Sequence, residues 1–498
     1  MSTSRHEHVE RHDDPTKTTQ AVHEEFASSL ESSMSQKERS RLLLKMDLYL
    51  MPTVALLYLF CFIDRANIGN ARLAGFEKDL GMKGYDYNTV LSVFYISYII
   101  FEIPSNIICK WWGPGWFIPA ISVGFGVSSL ATAFVHTRAQ ACAVRFLLGV
   151  FEAGILPGIA YYLSRFYARA ELGFRLGLYI VMAPLAGAFG GLLASAILTL
   201  DSVGSLRTWR MIFIIEGIVT VVLALIAFGT MTDRPQSARW LTVSEKAYIE
   251  EKLRAERVGS STVLDKMDKK KLLRGVLNPV TIVTAIIFMF DSVTVQGLGF
   301  FTPTIIRTIY PGRTVVQQQL LTVPPYIIGS FFTVVIPLLS WKLDRRLILI
   351  ILSTPLVIVG YVMFLASNVA RIRYAAAFLV ASTVFGIGPL STAQVSANVV
   401  SDTSRNSAIA IAVMFSNIGG LVSTWSYVPH DAPHYRIGSG LNLATATGML
   451  VLGLSLLFWM RWDNKRRDNR SAEEELAGAS ANEIHDLDWQ HPDFRWHA

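Results

Sequence analysis

Twelve stretches of roughly 20 apolar residues, each parted from the next by polar or charged sequence, limit this chain's fold more than any other feature. A helix of that length crosses about 30 Å of hydrocarbon with its backbone N–H and C=O groups bonded internally. The spacing predicts spans at about 46–66, 89–111, 116–135, 140–164, 174–199, 208–230, 279–303, 316–340, 347–366, 372–396, 405–426 and 441–461. The expected fold class is all-α membrane, with twelve transmembrane helices in two six-helix bundles. Apolar residues make up 52% of the 498 and charged residues 17%, so charge is pushed into the gaps.

The gaps set the organisation. A His-, Glu- and Ser-rich segment over about 1–45 has no apolar core, so it reads as a disordered cytosolic tail and not as a signal peptide. Bundles over about 46–230 and 279–461 flank a polar linker over 231–278, and a polar tail covers 462–498. In the linker, Thr242 and Glu245 have capping-box spacing, which predicts a short helix after Leu241. Arg39, Arg41 and Lys45 precede the first span, Arg165, Arg169 and Arg175 follow the fourth, and Lys342, Arg345 and Arg346 follow the eighth. Arg461, Lys465, Arg466 and Arg467 close the last, so the positive-inside rule puts both termini in the cytoplasm. Arg72, Lys78 and Lys83 dilute that contrast from the opposite side.

The net charge of +7 forms no basic stripe with interleaved aromatics, which argues against nucleic acid. Cys61, Cys109 and Cys142 have neither disulfide-framework nor zinc spacing. No nucleophile–base set or phosphate-cradling loop suggests an enzyme.

An ionisable group in mid-bilayer costs about 2.5–3.5 kcal/mol on insertion scales, so each one is a candidate for function. They are Asp64 and Arg65 in span 1, Glu102 in span 2, Arg145 and Glu152 in span 4, Glu216 in span 6 and Asp291 in span 7. Arg145 and Glu152 are two turns apart and share a helix face. Span 1 runs outward and span 4 inward, which brings Asp64, Arg65 and Arg145 to comparable depth. Two permanently charged guanidiniums suit a carboxylate, and two neighbouring acids suit protons. The same four groups would also serve as static pairs between helices. Glu102, before Ile103 and Pro104, fits a gating pair or a coupling acid; Asp291, followed by Gln296, Gly297 and Gly299, fits a bending helix or a solvated cavity acid. Glu216 reads as a packing contact. Tyr98 and Asn417 could bond a substrate or simply another helix.

The run from Phe62 to Ala71, then Phe101 to Asn106, Arg145 to Gly154 with Pro157-Gly158, Pro235 to Thr242, Leu321 to Tyr326 and Asp431 to Tyr435 resembles the anion:cation symporter family of the major facilitator superfamily. The likeness runs from about Lys45 to Arg467 and resembles the fungal branch of allantoate, nicotinate and other carboxylate permeases. It implies proton-linked roles for Asp64 and Glu152, anion binding by Arg65 and Arg145, and substrate contacts from Tyr98 and Asn417. Gln394 stands after Gly388-Pro389 where many relatives carry tryptophan, which would reshape the substrate pocket. Trp341 and Asp344 disturb the charged motif after span 8, and Lys110 to Gly115 lacks an acid, so the usual latch is altered.

The expected function is proton-coupled symport of a small organic anion across the plasma membrane by a monomer, driven by the proton gradient without a cofactor. Its partners would be the anion, protons and the lipid bilayer, with no metal. An exporter is the alternative, although Ala183-Pro184 only partly matches the antiporter bend of span 5. A nutrient receptor that signals without transport is a further one.

Overall fold

In the computed structural model, residues 34–199, 208–258, 269–469 and 487–497 are described, and they are helical wherever regular. Among the described residues, twelve helices are long and apolar enough to cross a membrane: Gln36–Leu73, Asp86–Trp112, Pro114–Thr132, Arg138–Ser164, Arg175–Ile197, Trp209–Thr230, Pro279–Ile309, Val315–Leu343, Arg346–Ala366, Ala370–Ala397, Ser404–Ser423 and Arg436–Asp468. They are spans 1 to 12 below.

Local chemistry sets their ends. Span 1 starts at a capping box in which the Ser35 N–H donates to Glu38 at 2.9 Å. Asn278 caps span 7 by accepting from the N–H groups of Val280 and Thr281, with Pro279 at the first helical position. Span 4 is two helices, Arg138–Glu152 and Ile155–Ser164, broken just past Glu152. Span 5 breaks after Ile180, shortly before Pro184, which lacks the N–H a helix interior needs.

Spans 1 to 6 pack on one another, as do spans 7 to 12, and the halves meet along spans 1 and 7, 2 and 11, and 5 and 8. Away from the termini this seam is tight. The amide of Asn88 donates to the Thr424 carbonyl at 2.6 Å, the Ser92 and Thr424 hydroxyls lie 2.8 Å apart, and Gln319 donates to the Asn70 carbonyl at 3.2 Å. Tyr87 packs edge-on against Phe301 and Tyr95 against Phe300. Gly69 allows span 1 to touch span 7: a Cβ there would sit 2.5 Å from the Phe300 carbonyl oxygen.

The linker divides between the halves. Its helix Val243–Val258 carries the expected cap, with the Thr242 N–H donating to Glu245 at 2.7 Å, and Lys45–Glu245 and Lys252–Glu171 pairs hold it to the first half. The helix Lys269–Val276 joins the second half, where the Leu272 carbonyl accepts from Ser407.

The Lys110 to Gly115 turn, which lacks an acid of its own, meets one from elsewhere. Asp233, just beyond span 6, pairs with Arg165 at 3.0 Å and accepts from the Gly115 N–H at 3.4 Å, so the charge absent between spans 2 and 3 arrives from the end of the bundle. Gly113 (φ 92°) keeps this turn open to the Asp233 carboxylate.

Both expected tails differ. Residues 36–45 belong to span 1, and 1–33 lie outside the described residues. Span 12 remains helical to Asp468, and 487–497 form a docked strap within what was expected as a polar cytosolic tail. Trp496 is buried among Val280, Leu347, Leu456 and Met460, and its indole donates to Asp463 at 2.8 Å. Asp488 accepts from the N–H groups of Val400 and Ser401. Three aromatic residues within a short segment, Trp489, Phe494 and Trp496, supply the apolar surface for docking, too few to form a visible period.

Candidate functional site

Span 1 feeds two layers from neighbouring residues. Arg65 faces the boundary between the halves. Its Nε donates to Glu152 at 2.6 Å, and its guanidinium lies over the rings of Phe62, Tyr98 and Phe94 at 4.7, 5.0 and 5.2 Å. Cys61, one turn earlier, donates to the same Glu152 oxygen at 3.3 Å.

Asp64 is turned about 100° round the helix from Arg65 and points into the first bundle. It accepts from the Ser129 hydroxyl of span 3 at 2.5 Å and pairs with Arg145 at 3.4 Å. Asn67, three residues on, donates to Glu216 of span 6 at 2.6 Å. Arg145 and Glu152 do share a face of span 4, but each pairs with a different residue of span 1.

Between the halves lies a cleft with about 960 Å³ of empty space, partly continuous with solvent, built from spans 1, 2, 4, 5, 7, 10 and 11. Arg65 and Asp291 are its charged lining residues. Tyr58, Phe62 and Tyr98 give the first-half wall an aromatic character, whereas Ser292, Gln296, Ser416 and Asn417 make the opposite wall polar. With the far side sealed, the cleft lies towards the face that bears the termini.

Of the residues singled out from the sequence, Arg65, Tyr98, Asn417 and Asp291 line the cleft. Glu152 stands behind Arg65. Glu102 accepts from the Asn417 amide at 2.8 Å and so ties span 2 to span 11. Asp64 and Arg145 sit inside the bundle, away from the cleft wall. Gln394 is fully buried near the termini face and donates to the His497 carbonyl of the strap at 2.7 Å, so it does not line this cleft.

Sequence reasoning missed Ser129, Asn67 and Cys61, neutral groups that nothing in a span marks out. Glu216, read as a packing contact, does join span 6 to span 1 through the Asn67 amide. The intramembrane charge of Glu216 was the available signal, and its place beside Asp64 and Arg145 needed the fold.

The family pattern described as Major Facilitator Superfamily matches residues 54–424. The chain belongs to this superfamily. An uncharacterized transporter of Schizosaccharomyces pombe is 31% identical over 467 residues, 93% of this chain and 91% of that one. The high-affinity nicotinic acid transporter of Saccharomyces cerevisiae is 30% identical over 436 residues, 87% of this chain and 80% of its own. An inward-facing, unoccupied bacterial homologue of the human lysosomal transporter Spinster matches with TM-score 0.62 at 15% identity, covering 84% of this chain and 96% of that one. A partially occluded, inward-open form of the Escherichia coli xylose transporter XylE matches at 0.61 and 14%, covering 81% and 96%. These structures share the fold. This major facilitator is therefore a multi-pass membrane transporter, and its relatives are transporters rather than enzymes.

Proposed function

We propose that this major facilitator carries a small organic anion together with protons by alternating access, with both termini in the cytoplasm and the plasma membrane as its site. The observation that carries the reading is the Arg65–Glu152 pair: a guanidinium on the cleft wall whose protein counter-ion lies behind it. While Glu152 is ionised, the charge of Arg65 is met within the protein. A proton on Glu152 cancels that charge, and a buried guanidinium without an anion is costly, by several kcal/mol. A substrate carboxylate in the cleft then becomes the favoured partner, held by the planar fork. Loss of the proton on the low-proton side restores the pair and expels the anion. Asp64 and Arg145 form a second proton-sensitive pair one layer deeper. Glu102 and Asn417, bonded across the halves, report the same events to the seam.

The nicotinic acid transporter among the relatives supports a carboxylate cargo. A gradient of about one pH unit supplies about 1.4 kcal/mol per proton, enough to read in transport. Uptake of labelled nicotinate and short alkanoates by transporter-deficient cells should rise with an inward proton gradient and vanish in Arg65→Gln. Uptake indifferent to the gradient removes the coupling, and uptake indifferent to Arg65→Gln removes the anion site.

A further inference from the structure

Asp291 is the cleft's unpartnered acid among the described residues. It lines the cleft from span 7 as Arg65 does from span 1, is 1% exposed, and neither carboxylate oxygen has a hydrogen-bond partner among the described residues. The other acids singled out in the spans each have one: Asp64 has Ser129, Glu152 has Arg65, Glu216 has Asn67 and Glu102 has Asn417. Its polar neighbour Ser292 is already bonded to Ser416 at 2.5 Å. Beside it, Gly388 has no side chain, and even a Cβ there would stay 3.9 Å from the Asp291 oxygen. A buried carboxylate left without a donor is costly, and a donor that enters the cleft removes that cost.

A simple anion cannot. It would bring more negative charge to a cleft that Asp291 already lines, and it offers no donor to the Asp291 carboxylate. A substrate that carries its own cation resolves both problems, because its carboxylate takes Arg65 while its protonated nitrogen takes Asp291. Such a molecule also touches both halves of the protein. It therefore binds a closed arrangement better than an open one, the difference in affinity that a ligand needs to drive a conformational change.

We propose that the substrate of this cleft is ditopic, an organic acid bearing a protonated amine or ring nitrogen, with Arg65 reading the carboxylate and Asp291 the nitrogen. The proposal rests on the anion-transport reading above and narrows it.

The test pairs labelled ω-aminoalkanoates of graded length with alkanoates of matching length, in uptake and in thermal-shift binding to the purified full-length chain. The graded lengths let the protein select the separation. At the best length the wild type should prefer the amino acid by about tenfold or more, as expected for a charge-assisted hydrogen bond. Asp291→Asn should bring the ratio close to one, and Asp291→Glu should restore part of it. Equal handling of the two series by the wild type, or a preference that survives Asp291→Asn, overturns the proposal. Wild-type ratios in the binding assay decide the matter even if the variants fold poorly. Failure of the underlying reading looks different: alkanoate uptake would then be insensitive to Arg65→Gln, or no carboxylate would bind at all.

Discussion

Arg65 and Glu152 illustrate how much one buried pair constrains. Each is nearly sealed from solvent, and each needs the other. Arg65→Gln alone strands the Glu152 charge, and breaking a buried pair from one side costs about 3–5 kcal/mol. The double variant Arg65→Gln/Glu152→Gln removes both charges and should recover most of that loss while remaining inactive. Thermal unfolding of the purified protein measures the cycle, and a double variant no more stable than the single one would show that the pair is not coupled. Glu216 offers a milder case. Glu216→Gln keeps an oxygen for the Asn67 amide and should change stability by less than about 1 kcal/mol, whereas Glu216→Ala orphans that buried amide at about 1–3 kcal/mol. Equal losses in the two variants would mean that the charge itself, not the hydrogen bond, holds span 6 to span 1.

Among the elements, the seam of spans 1 and 7, 2 and 11, and 5 and 8 separates one conformational state from the other. It is sealed by aromatic pairs, close glycine contacts and neutral hydrogen bonds, with Arg72 of span 1 lying over the Phe301 ring of span 7 at 5.8 Å. Gly69→Val would push a branched side chain into the Phe300 carbonyl, and overpacking of this kind costs about 1–3 kcal/mol against the closed seam. The penalty falls on the state with the far side closed and should shift the population towards far-side opening. Ser92→Cys, buried in that seam, reports the shift: its reaction with a membrane-impermeant thiol reagent from the far side should speed up in the Gly69→Val background. An unchanged rate in a folded protein would mean that the span 1–span 7 contact does not hold the far side shut.

For the molecule as a whole, the strap at 487–497 ties together the termini-side ends of spans 7, 9, 10, 11 and 12. Trp496→Ala should cost about 3–5 kcal/mol, the usual range for a buried Trp, and should release the strap to protease. Its pH dependence follows from Asp488. Burial pushes this carboxyl up, but hydrogen bonds from Ser404 and from the Val400 and Ser401 backbone outweigh that and hold it below the usual carboxylate range. A carboxyl with a depressed folded value stabilises docking above its unfolded value and gives that up as pH falls through the folded one. Docking should therefore be full at neutral pH and weaken only below about pH 4. Pepsin cleavage of the strap should show that step in the wild type and lose it in Asp488→Asn, which should be cleaved readily even at mild acidity. A wild-type strap cut equally across this range would overturn the role given to Asp488.

The sequence alone determined the twelve spans and the short list of charges that had to be housed among them, because hydrocarbon accepts neither an unpaired backbone nor an idle charge. Spans 2, 9 and 10 lie within a few residues of where hydropathy put them, and Arg65, Tyr98, Asn417 and Asp291 were legible as candidates. Partnership was not legible. Whether Asp64 joins Arg65 or Arg145 depends on how far span 4 is rotated against span 1, and hydropathy carries no such angle. The acid at the Gly113–Gly115 turn comes from Asp233, more than a hundred residues away, and Gln394 is turned from the cleft by the strap. The tertiary structure alone decided which charges pair in the interior and which two, Arg65 and Asp291, line the cleft from different halves. Side-chain direction on a packed helix is set by its neighbours, and those neighbours are remote in sequence.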